Sequence, residues 1–141
     1  DLDKIIEDTE KSSIKNIFLS RGEIYFRKIE SEIFKTFIAN NDDFILALGG
    51  GTPCYANNEQ ILKQEDISSF YLKGSITTLS NRLENEKSNR PLLVDLSKEE
   101  LDDYIRKHLF DRGYYYLQSK NTISIDDKSV EEISKEIISL L

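Results

Sequence analysis

The chain has 141 residues, 38% of them hydrophobic and 32% charged, with a formal net charge of −7 at pH 7. That is enough for one buried core, while the longest apolar run, Phe44–Leu48, falls far short of the ~18 residues a membrane span needs. The acidic balance argues against a general nucleic-acid binder, which would show a basic face, and the lone Cys54 cannot make an internal disulfide, pointing to a reducing compartment.

Asp1-Leu2-Asp3 reads as the end of a strand, with Asp3 capping a short helix from Lys4 to about Lys11. Ser12 or Ser13 starts a second short helix that Gly22 ends. Glu23 opens a longer helix to about Asn40, with Phe26, Ile29, Ile33, Phe34, Phe37 and Ile38 at core-facing spacing. Phe44–Leu48 does not alternate and is predicted to be a strand buried on both faces. Helix is expected from Asn57 to about Gln64 and strand from Ile67 to Leu72, and Ser75 caps the helix through Arg82 and Leu83. Residues 84–97 are polar and read as a long loop. Capping boxes at Ser97–Glu100 and Ser129–Glu132 open helices from about Lys98 to Gln118 and over the C-terminal stretch, where Val130, Ile133, Ile137 and Ile138 are expected inward. Thr122–Asp126 is a short strand between them. Strands alternating with helices predict an α/β fold with a parallel sheet. Methionine is absent and Asp1 comes first, so a processed product or part of a longer chain is expected.

Several residues could carry chemistry, each beside a blander reading. Gly49-Gly50-Gly51 holds three of the chain's six glycines at a strand end, where parallel sheets bind ligands; the plain alternative is a flexible turn. Asp1 and Asp3 could order a metal's waters or accept a proton, or Asp3 could simply cap a helix. Arg27 and Glu30 are three apart and can pair, as many surface ions do without consequence. Arginine is scarce, six against thirteen lysines, and its fork grips carboxylates and phosphates. Arg90 lies in the long loop, where it could act as a lid residue on a moving phosphoryl group or as a solvated charge. Arg112 otherwise reads as a favourable charge near a helix C-terminus. His108 reads as a helix-surface residue, Cys54 has no triad pattern around it, and Tyr114-Tyr115-Tyr116 reads as packing plus one exposed ring.

Taken in order, these motifs resemble the shikimate kinase family over nearly the whole chain. Asp1-Leu2-Asp3 with Ile6-Glu7 is similar to the family's Asp-x-Asp region, and Ser13-Ile14 to Phe18 follows it. Gly22-Glu23-x-x-Phe26-Arg27-x-x-Glu30 is the most diagnostic piece. Leu48-Gly49-Gly50-Gly51-Thr52, Arg82-Leu83 with Arg90-Pro91-Leu92-Leu93, and Arg112 with Tyr116 complete the set. The resemblance implies a three-layer P-loop kinase-like fold with strand order 2-3-1-4-5, in one domain over 1–141 with a lid at about 84–97. It implies that Asp3 contacts the shikimate hydroxyls as the proposed base, and that Arg27 and Arg112 hold the substrate carboxylate. Gly49, Gly50 and Gly51 would cradle shikimate, Glu30 would brace Arg27, and Arg90 would reach the ATP phosphates. Arg82 and Lys128 would lie beside the adenine, and Asp1 near Mg2+ through water.

The activity implied is transfer of the ATP γ-phosphoryl to the 3-hydroxyl of shikimate in aromatic amino-acid biosynthesis. A cytoplasmic monomer without nucleic-acid or membrane partners is expected. Two departures stand out. The usual Arg-Ala-Pro-Leu-Tyr reads Arg112-Gly113-Tyr114-Tyr115-Tyr116, and no Gly-x-x-x-x-Gly-Lys-Ser/Thr occurs. In the family that loop and the first strand precede the Asp-x-Asp, so these 141 residues alone are expected to be inactive. The rivals are another small-metabolite kinase, gluconate kinase-like, and a non-catalytic shikimate-binding module.

Overall fold

The protein is described by a computed structural model covering residues 1–40, 43–85, 93 and 95–141. It falls into two compact units, Asp1–Glu59 and Gln60–Leu141.

In the first unit, helix α1 (Leu2–Glu10) is nucleated by Asp1, whose carboxylate accepts from the Asp3 and Lys4 amides. The cap is therefore Asp1, not Asp3, and the helix starts at Leu2 rather than Lys4. The expected strand end is reduced to one sheet-like contact, the Leu2 N–H donating to the Ala47 carbonyl at 2.9 Å. Lys11 stops the helix in a left-handed conformation, its N–H returning to the Glu7 carbonyl. Helix α2 (Ile14–Asn40) is broken at Gly22, where φ is 80° and ψ 174°, a conformation open to glycine. Two helices meeting at Gly22 are what the sequence predicts. Leu2, Ile6, Ile17, Phe26, Ile29 and Phe34 are buried, and the Phe18 and Phe26 rings lie 4.5 Å apart.

Phe44–Leu48 departs from expectation. It joins no strand ladder among the described residues; Phe44, Leu46 and Leu48 are half-buried while Ile45 and Ala47 face out. An alternating pattern of this kind has one covered face, not two. Phe44 supplies part of the cover by packing edge-on against Phe37. A short 3-10 turn, Thr52–Cys54, follows the glycines, and the helix expected near Asn57 is a 3-10 segment, Asn58–Lys63.

In the second unit, β1 (Phe70–Lys73) pairs in parallel with β2 (Asn121–Ser124), Phe70 opposite Asn121. These are the strands expected over Ile67–Leu72 and Thr122–Asp126, the last two in the chain and so neighbours in the implied order, and they are adjacent and parallel as predicted, although β1 begins three residues later than the sequence suggested. Ser75 caps α3 (Ile76–Glu84) by accepting from the Thr78 amide. The capping boxes at Ser97–Glu100 and Ser129–Glu132 both form, opening α4 (Lys98–Tyr116) and α5 (Val130–Ser139). Leu93, Leu101 and Ile105 pack with Ile76, Leu79 and Leu83, which joins α4 to α3. Ile133 packs with Ile123 and Ile125, with Ile137 alongside. Val130 and Ile138, expected inward, are exposed, because α5 presents only a narrow stripe to β2. His108 is half-buried rather than on the surface, stacked on Tyr104 and bonded through Nδ1 to the Tyr104 carbonyl. Among the described residues no helix is long and apolar enough to cross a membrane.

Candidate active site

The break at Gly22 lets a new helical limb begin at Glu23, and this limb carries Glu23, Arg27 and Glu30 on successive turns. Arg27 Nη1 donates to Glu30 Oε2 at 2.9 Å and Nε to Glu23 Oε1 at 3.4 Å. The guanidinium also lies over the Tyr55 ring, 4.5 Å from its centroid, and the Tyr55 hydroxyl donates to Glu23 Oε1. Such stacking orients a planar cation. The pair is not a surface ornament: the Glu30 side chain is 1% exposed and that of Arg27 16%. Burial works against the arginine's charge, but the hydrogen bond and charge of Glu30, with Tyr55 and Glu23, outweigh it and hold the guanidinium more firmly protonated.

The glycine run closes this pocket from the other side. A side-chain carbon on Gly49 would meet Thr52 Oγ1 at 3.4 Å, Asp3 Oδ1 at 3.6 Å and Glu30 Oε1 at 3.7 Å. Three oxygens from three different elements thus converge on one point. A carbon on Gly51 would lie 2.6 Å from both terminal nitrogens of Arg27. Gly51 has ordinary right-handed backbone angles, φ −87° and ψ −23°. Glycine is required there for the close approach of Arg27, not for an unusual turn.

Asp3 completes the group. Although the residue as a whole is exposed, partial burial of its carboxylate, then the charges of Glu30 and Glu7, push its pKa above the usual value; Arg27 pulls the other way. A carboxylate shifted toward neutrality is a better proton acceptor at physiological pH.

Asp3, Arg27, Glu30, Gly49 and Gly51 are therefore brought together, with Gly50 in the same turn. Asp1 is the helix cap and exposed. Arg112 is half-buried in α4 of the second unit, with no carboxylate paired to it among the described residues. Arg82, in the last turn of α3, helps to depress the Asp126 carboxylate, after the Thr78 and Ser75 hydrogen bonds. Lys128 is ion-paired with Glu136. Arg90, and most of the loop assigned as a lid, lie outside the described residues. Among the described residues no three or more His, Cys, Asp or Glu side chains cluster to hold a metal directly. The sequence carries Thr52 only as the end of the glycine motif and assigns no role to it, to Tyr55 or to Asn58. Thr52 stood next to the glycine run and could have been suspected; nothing local marked the other two.

The family model described as shikimate kinase matches residues 1–141. The shikimate kinase of Flavobacterium johnsoniae is 47% identical over 141 residues, covering all of this chain and 82% of that protein. The chain belongs to the shikimate kinase family. The enzyme of Flavobacterium psychrophilum is similar at 49% identity, with the same coverage. Among solved structures, shikimate kinase from Bacteroides thetaiotaomicron superposes with a TM-score of 0.86 at 26% identity, covering 99% of this chain and 78% of that one. Shikimate kinase from Acinetobacter baumannii in complex with shikimate gives 0.83 at 28%, covering 99% and 75%. The fold is the P-loop kinase fold of the family, as the motif order implied, and the chain is a phosphotransferase.

Proposed function

We propose that this shikimate kinase family member moves the γ-phosphoryl of ATP to the 3-hydroxyl of shikimate, with residues 1–141 forming part of one catalytic domain whose phosphate-binding loop lies outside them. The observation that carries the reading is Arg27 held by Glu30, Glu23 and Tyr55, against Gly51 and close to Asp3. Shikimate has one carboxylate and three hydroxyls. A fixed arginine fork suits the carboxylate, and backbone at Gly49, Gly50 and Gly51 suits the hydroxyls. Asp3 accepts the proton of the reacting hydroxyl or orients it. Arg112, by its place in the family's Arg-x-x-x-Tyr motif, is the second grip on the carboxylate.

Arg90 acts on the transferring phosphoryl group, and Arg82 and Lys128 flank the adenine. Asp1 uses one carboxylate oxygen for its cap and keeps the other for a water of Mg2+. That suits an ion which keeps several waters and is otherwise held by substrate phosphates. When bound, Mg2+ neutralises charge on those phosphates. The acting form is a cytoplasmic monomer.

Steady-state assays of the intact protein with ATP and either shikimate or gluconate test the reaction. Shikimate-dependent ADP release is expected. Turnover of gluconate alone would replace the substrate, and shikimate binding without turnover would mark a binding module.

A second expected result separates the two glycines. Gly51→Ala sets a side-chain carbon 2.6 Å from both terminal nitrogens of Arg27, so the guanidinium must shift away against its contacts with Glu30, Glu23 and Tyr55. Gly49→Ala meets only ordinary contacts. The shikimate KM should rise about tenfold or more for Gly51→Ala, the scale of one charged hydrogen bond, and much less for Gly49→Ala.

A further inference from the structure

Glu30 is nearly fully buried, and a buried carboxylate needs hydrogen bonds to both oxygens. Arg27 takes Oε2. The other, Oε1, accepts the Thr52 hydroxyl at 2.7 Å. Thr52 is itself held in place: the Asn58 amide donates to its carbonyl at 2.9 Å, and the Ser31 hydroxyl donates to Asn58 Oδ1 at 2.8 Å. Ser31 follows Glu30 in the chain, so the connection returns to the helix it left. Thr52, Asn58, Glu30 and Ser31 are 0, 1, 1 and 4% exposed. Every side-chain donor in this run points toward the carboxylate, and the Asn58 bond fixes the stretch of backbone from which the Thr52 hydroxyl projects.

We propose that Thr52, seated by Asn58 and Ser31, is a positioning residue for substrate binding: it fixes the Glu30 carboxylate so that Arg27 presents its fork in one orientation. The inference rests on Arg27 holding the shikimate carboxylate. Thr52 touches no reacting group and acts through Glu30. Without its hydroxyl the carboxylate keeps one partner and can rotate, and Arg27 rotates with it. The cost falls on capture of shikimate and not on ATP or on the chemical step.

Thr52→Val keeps the shape and deletes the donor, whereas Thr52→Ser keeps the donor. In steady-state assays of the intact protein, Thr52→Val should raise the shikimate KM roughly tenfold. Its kcat and ATP KM should stay within about twofold, and Thr52→Ser should restore the shikimate KM. Ser31→Ala, which removes only the far end of the chain of bonds, should raise the same constant by a smaller factor, with the same split; it serves as the probe should Thr52→Val fail to fold. An unchanged shikimate KM in the folded variants would overturn the proposal. So would a Thr52→Ser enzyme as impaired as Thr52→Val, which would make packing the cause, or a loss shared with kcat and ATP KM. A wild-type protein that turns over no shikimate would overturn the functional reading itself, and this inference with it. An Arg27→Ala enzyme with a normal shikimate KM would overturn the arginine's role even where turnover stands.

Discussion

Asp3→Asn lowers turnover by about 10²–10⁴-fold, the range of a positioned general base, with ATP affinity little changed. The amide cannot take the hydroxyl proton, yet it fills the same space. Loss of turnover with an unaltered melting temperature is the expected pairing; near-normal turnover would leave Asp3 only a binding role. The pH profile provides a second reading. Asp3 has a raised pKa in the folded protein, through partial burial, Glu30 and Glu7. Turnover should fall as pH drops through that raised value. Glu30→Gln removes one raising charge, so the acid limb should shift to lower pH. Stability follows the opposite sense. Between the ordinary and the raised value the folded state binds more protons than the unfolded one, so this group's contribution decreases as pH rises through that window. Kinetic and melting titrations over the same buffers would therefore move in opposite directions.

Arg27→Ala is expected to weaken shikimate binding by about 1.5–3 kcal/mol, the value of a hydrogen bond to a charged group, while ATP binding is retained. Arg112→Ala should have a similar effect. The two differ in what they do to folding. Removing Arg27 strands Glu30, which is 1% exposed, and breaking a buried pair costs about 3–5 kcal/mol. Removing Arg112 strands no carboxylate among the described residues. Arg27→Ala should thus lower the melting temperature, and adding Glu30→Gln should recover much of it without recovering shikimate affinity. Calorimetric titration and thermal melts on the three variants would separate the roles. Unchanged shikimate affinity in both arginine variants would remove the carboxylate clamp.

Local chemistry made much of this legible. Ser97 with Glu100, and Ser129 with Glu132, announce helix starts because a capping box is complete within four residues. Arg27 and Glu30 announce their pairing for the same reason, being one turn apart. What the sequence did not reveal depends on the path of the chain between distant positions. Thr52 meets Glu30 across 22 residues and Asn58 meets Ser31 across 27, through turns whose angles no spacing rule supplies. The depth of Glu30 was equally hidden, since an Arg–Glu pair three apart reads the same on a surface as in a core. Phe44–Leu48 failed differently: composition reports that a run is apolar, but its cover depends on which neighbours reach it, and among the described residues Ile45 is fully exposed.

Gly22 works as a phase slip. An uninterrupted α-helix turns about 100° per residue, so the nine steps from Ile17 to Phe26 would set these side chains on opposite sides of the rod. Both are nonetheless buried, at 2 and 3% exposure. One residue at φ 80° resets the rotational count, and the two limbs can each aim an apolar stripe inward. Arg27 and Glu30 inherit their bearing from that reset, five and eight residues downstream. The angular coordinate of the substrate grip is thus set at a glycine that touches none of its side chains, and a residue inserted into or deleted from this stretch would act on the clamp as a rotation.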